Sequence, residues 1–199
     1  MIKRTQRGFS LLELLIVISI VMIIAAMATP SVLNTVRRYQ LESAARNVAS
    51  VLMRARYEAI RLNRRVNTIY GAPAGSNPAM FGVDEDGPPP VYPDGILEAS
   101  EPQIAISTSV QMGGVGQPAF TSMGVNYTAL TQPPAFQIAF GSVGTVIYQP
   151  TAGAGNPWIE SNTIYVILLQ HNITQQWAAV TITPAGRVRV WIWNGSAWA

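Results

Sequence analysis

Few residues in this 199-residue chain could do bond chemistry, and their spacing argues against most of it. Cysteine is absent, so disulfides, thiolate metal sites and cysteine nucleophiles are excluded. The single histidine, His171, lies between two apolar runs of strand length, and one imidazole makes neither a histidine metal cluster nor a supported serine triad. The spacing therefore predicts a surface hairpin residue there. Asp84-Glu85-Asp86-Gly87 lacks the later bidentate glutamate of a calcium loop, and with three prolines after it the stretch reads as a turn. Gly113 to Gly116 lacks the lysine of a phosphate-cradling loop. The sequons at Asn126, Asn172 and Asn194 read as chance matches. No catalytic residue, metal ligand or cofactor is expected, and the chain does not read as an enzyme.

Two places are harder to explain as ordinary packing. In GRVRVWIW, strand alternation puts Val188, Val190 and Ile192 on one face and Arg187, Arg189, Trp191 and Trp193 on the other. Two cations and two indoles in a row suit phosphate contacts and base stacking. The bland alternative pairs the arginines locally and lets the tryptophans cover the sheet. At the other end, Glu13 sits inside the run from Phe9 to Ala28, FSLLELLIVISIVMIIAAMA, whose length of roughly 30 Å matches one bilayer crossing. A carboxylate there is costly without a partner, and snorkelling or protonation is its bland explanation.

The elements that must position these residues follow from periodicity. Beyond Pro30, the residues Leu41, Ala44, Val48, Leu52, Ala55, Ala59 and Leu62 recur at helical steps, and neither glycine nor proline occurs from Ser31 to Tyr70. A helix from about Phe9 to about Asn63 is predicted, with Pro30 as a kink or loosened turn. From Gly71 on, the chain reads as short strands between Gly/Pro-rich turns. The strands expected are 104–110, 135–140, 145–148, 164–169, 178–183 and 187–193, the last two joined by Pro184-Ala185-Gly186.

The fold class expected is α+β: a long N-terminal helix packed on a mainly antiparallel sheet. The segments are 1–8, a basic leader; 9–29, the transmembrane half of the helix; 30–65, its amphipathic half; and 66–199, a β-rich head. The overall charge of +3 sits mostly outside that head. Lys3, Arg4 and Arg7 precede the apolar run and eight arginines lie within 37–65, whereas the head has only Arg187 and Arg189 against seven carboxylates. An acidic head argues against tight nucleic-acid binding.

Arg7-Gly8, then Phe9, Glu13 within the apolar run and Pro30 further along resemble the leader of type IV pilins and type II secretion pseudopilins. ARNVASVLMRARYEAIRLNRRV, with VTITPAGRVRVW near the C-terminus, is similar to the FimT/GspH family of minor pilins and pseudopilins. The resemblance implies a type IV pilin-like fold, cleavage between Gly8 and Phe9 by a prepilin peptidase, and N-methylation of Phe9. It also implies assembly with other pilin or pseudopilin subunits through the N-terminal helix, where Glu13 pairs with the Phe9 amine of a neighbour. The bacterial inner membrane is then the anchor, with the N-terminus cytoplasmic and the head periplasmic. In FimT-type proteins a Gly-Arg-x-Arg motif is implicated in DNA binding, and Gly186, Arg187 and Arg189 match it. DNA uptake is thus an alternative function, and a signal-anchored periplasmic enzyme or binding protein is a second.

Overall fold

The computed structural model describes residues 10–71, 80–85, 97, 99–113, 116, 118–120, 127–130, 137–148 and 157–199. Helix α1 (Leu11–Leu62) is a single 52-residue element with Pro30 inside it. Its C-terminus is set by local geometry: Asn63 adopts φ 50°, Asn63 N–H donates to Ile60 O (3.3 Å) and Arg64 N–H to Ala59 O (3.2 Å). This is a Schellman-type stop, with asparagine tolerating the left-handed conformation usually given to glycine. The chain divides into two compact units, Met1–Arg37 and Arg38–Ala199.

In the first unit the helix keeps its apolar side chains exposed, from Leu11 to Val36. By length and composition it can cross a membrane. Thr29 Oγ1–H donates to Ala25 O (2.7 Å), one turn back, just before the proline that lacks its own N–H.

Among the described residues the second unit holds two sheets. One runs β3 (Gln103–Ala105), β2 (Met80–Asp84), β1 (Val66–Gly71), β6 (Gln137–Phe140), β7 (Val146–Tyr148), β8 (Ile159–Glu160) in spatial order. The other runs β11 (Val188–Ile192), β10 (Trp177–Ile182), β9 (Ile164–His171), β4 (Val110–Met112). Among the described residues every strand pairing is antiparallel except that of β5 (Tyr127–Leu130), which runs parallel beside β9. The mainly antiparallel arrangement matches expectation, but it is split over two sheets. The expected strand 104–110 is two short strands, β3 and β4, separated by a turn.

The main core lies under α1. Leu41, Ala44, Ala45, Val48, Ala49, Val51, Leu52, Ala55 and Ala59 are buried against Val66, Phe81, Ile138, Phe140, Ile167, Leu169, Val180 and Ile182, among others. A second cluster, on the opposite face of β9 and β10, joins Phe120, Val166, Leu168, Trp177, Ala179 and Trp198. Strand β10 is therefore buried along its whole length, which explains its unbroken apolar run.

Candidate assembly and binding sites

At the membrane-length end, Glu13 lies in the first turn of α1. A carboxylate there is favoured by the helix dipole. The adjoining Gly8 and Phe9, the expected cleavage and methylation residues, lie outside the described residues. Pro30 is accommodated within the helix without ending it.

At the other candidate site the alternation of β11 is as expected. Val188, Val190 and Ile192 are half-buried against the main core, and Trp191 and Trp193 pack on the second cluster. The indoles are thus engaged in packing. Phe120 and Trp191 meet edge to face at 5.8 Å, Trp193 lies 5.2 Å from Trp198, and Trp191 Nε1–H donates to Thr181 Oγ1 (3.0 Å). A free two-indole stacking platform is not what this geometry provides, because both rings are partly buried against an apolar cluster. Arg187 and Arg189 remain exposed, and the Arg189 guanidinium sits 5.1 Å from the Trp191 ring centre, a cation–π contact.

Gly186 takes its role from the turn. Its φ is 75°, its N–H donates to Thr183 O (2.8 Å), and it closes the connection between β10 and β11. A Cβ on it would lie 2.3 Å from Gly144 O and 2.6 Å from Arg56 Nε. Those two atoms are themselves bonded, Arg56 Nε–H donating to Gly144 O at 2.9 Å, and Val146 N–H donates to Pro184 O (2.8 Å). Helix, first sheet and second sheet therefore meet at one point, and only a residue without a side chain fits there.

His171 is buried, contrary to the surface position its hairpin setting predicts. Its Nδ1 accepts the N–H groups of Ile173 (3.2 Å) and Thr174 (3.3 Å), and its Nε2 lies 3.4 Å from Gln40 Oε1 on α1. The imidazole organises the turn after β9 and ties it to the helix. A lone histidine carries no burial signal in sequence, and this function could not be read there. Asp84 ends β2 and is buried, while Asp86 and Gly87 lie outside the described residues. Glu85 is half-buried, its N–H donating to Glu101 Oε1 (2.7 Å). Burial first, and next the charge of Glu58, push its carboxyl above the ordinary value. Among the described residues no group of three or more potential ligands is placed to hold a metal.

Residues 3–29 match the prokaryotic N-terminal methylation motif. The N-terminal segment of the chain carries that motif. It is also similar to the pilin-like protein PilA1 of Thermus thermophilus, 46% identical over 59 residues, which cover 30% of this chain and 36% of that relative. The matched region thus spans about a third of the relative's length. Among solved structures the chain is similar to the type IV minor pilin FimU of Pseudomonas aeruginosa, at TM-score 0.43 and 16% identity, over 81% of this chain and 94% of that one.

Proposed function

We propose that this protein is a minor pilin or pseudopilin, a non-catalytic structural subunit of a type IV pilus or a type II secretion pseudopilus. The observation that carries the reading is the methylation motif over residues 3–29, coinciding with a helix whose apolar side chains are exposed. On this reading a prepilin peptidase cuts between Gly8 and Phe9 and the new Phe9 amine is methylated. The helix holds the subunit in the inner membrane, N-terminus cytoplasmic and head periplasmic, until it enters the fibre. Glu13 meets the Phe9 amine of a neighbouring subunit there, exchanging two isolated charges in lipid for one pair. Pro30 stays within the helix through that transfer. Mass spectrometry of the protein purified from its native membrane tests this: the expected mature N-terminus is methylated Phe9, and any other sinks the reading.

A second reading, DNA capture at the fibre, is favoured by the exposure of Arg187, just before β11, and Arg189 within it. Two phosphate contacts on an acidic head give weak, salt-sensitive binding. Arg187→Ala combined with Arg189→Ala should abolish it in an oligonucleotide titration, and unchanged affinity would exclude the site.

A further inference from the structure

Among the described residues, strand β11 is the last strand of its sheet, with only β10 beside it. The ladder fixes which backbone groups face outward. Thr183 N–H donates to Arg187 O (3.0 Å) and Trp193 N–H to Trp177 O (3.0 Å), and Thr181 pairs with Arg189 and Ala179 with Trp191. Antiparallel alternation therefore directs the N–H and C=O of Arg187, Arg189, Trp191 and Trp193 toward β10, and those of Val188, Val190 and Ile192 away from it. The C-terminus covers only one of these three: Ile192 N–H donates to Ala199 O (2.8 Å) and Ala199 N–H to Ile192 O (3.1 Å). At Val188 and Val190 the outward backbone groups meet no partner among the described residues. The open stretch is short, and the exposed Arg187 and Arg189 flank it, so an incoming strand must suit those charges.

We propose that this edge is a docking site for an extended acidic segment of a partner protein, which adds to the sheet as a further strand beside Val188 and Val190. The backbone supplies the pairing, and the side chains specify the occupant. Residues directly opposite Arg187 and Arg189 are two apart on the incoming strand, and both cations are exposed, so carboxylates belong at those alternate positions. The other alternate positions, opposite Val188 and Val190, meet half-buried side chains that continue the main core, so apolar residues belong there. A second copy of β11 is the wrong occupant. In each two-fold register that leaves Ala199 in place, Arg189 falls opposite Arg189 or Arg187 of the other copy, which is repulsive. Nothing in this argument requires the pilin reading, and the docking site stands or falls independently of it.

The backbone parity also supplies a clean test. Because the Val190 N–H points away from β10, Val190→Pro removes an outward donor without removing a ladder bond, and edge strands tolerate proline at such positions. The probes are two capped hexapeptides titrated into the full chain in zwitterionic detergent, one alternating glutamate and valine, the other lysine and valine. Amide hydrogen exchange at Val188 and Val190 is the readout. The acidic peptide should slow exchange at both amides at least tenfold, and the lysine peptide should not. Binding should be lost in Val190→Pro, and Arg187→Glu with Arg189→Glu should reverse the preference to the lysine peptide, which keeps the test valid if the proline variant fails to fold. Absence of protection by the acidic peptide overturns the proposal. So does acidic binding that survives in folded Val190→Pro, which would mean charge attraction without strand addition. Protection by a single-stranded oligonucleotide alone would assign the arginines to phosphate and equally overturn it.

Discussion

Gly186 heads the Gly-Arg-x-Arg stretch, and its conformation separates it from the arginines that follow. A left-handed φ and a carbonyl 2.3 Å from the place of any Cβ make substitution doubly unfavourable. Gly186→Ala should destabilise the protein by on the order of 2 kcal/mol, whereas Arg187→Ala and Arg189→Ala, both exposed, should stay within about 0.5 kcal/mol. Denaturant unfolding distinguishes them, and equal effects for all three would refute a structural role for the glycine. Glu85 offers a second test, in pH. Its carboxyl is raised in the folded state by burial and by Glu58, against the lowering effect of Arg54 and Arg61. Folding thus favours the protonated form, so its contribution is fully present below the ordinary value of about 4.5 and is lost as the pH rises through the higher folded value. Glu85→Gln should accordingly raise the unfolding midpoint at pH 7, with the gain shrinking toward pH 4. A gain independent of pH would point to packing instead.

The C-terminal half of α1 is held by small residues. Ala45, Ala55 and Ala59 are fully buried, which lets the sheets approach the helix closely, and Leu52 is the large side chain among them. Leu52→Ala should cost roughly 2–5 kcal/mol by leaving a cavity the alanine-lined surface cannot fill. Thermal unfolding checks this, and a loss below about 1 kcal/mol would mean the core relaxes around it. The stripe from Leu41 to Ala59 was legible from helical spacing because each step returns to one face. The burial of Ala45, Ala49 and Val51 was not, since two sheets rather than one cover the helix and widen its apolar face. Among strands, β9, β10 and β11 were readable from apolar runs and a glycine turn. In contrast, β1 follows the helix through the start Val66-Asn67-Thr68, and Asn67 and Thr68 are buried, with cross-strand contacts such as Thr68 Oγ1–H to Ile138 O (2.8 Å). That partner lies seventy residues away, and local pattern carries no trace of it. The alternation of β11 was likewise readable, while the engagement of Trp191 and Trp193 depends on Phe120 and Trp198, whose placement no local pattern announces.

Over the whole chain, the two units have opposite relations to solvent. Every buried residue of α1 lies at Leu41 or later, and the apolar side chains from Leu11 to Val36 contribute nothing to either hydrophobic cluster. Apolar surface of that extent is stable in lipid or against other subunits and not in water. The contacts that define the β-rich unit should therefore survive without it. A chain beginning at Pro30 is expected to stay in the aqueous supernatant without detergent, to retain its hydrogen-exchange protection in β9 and β10, and to unfold within about 2 °C of the full chain in micelles. The expectation follows because one kcal/mol of lost packing would already move the midpoint of a unit this size by roughly 2–4 °C. A fall of more than about 5 °C would mean that the apolar segment supports the head, and that membrane anchoring and head stability are coupled rather than separate properties of the same helix.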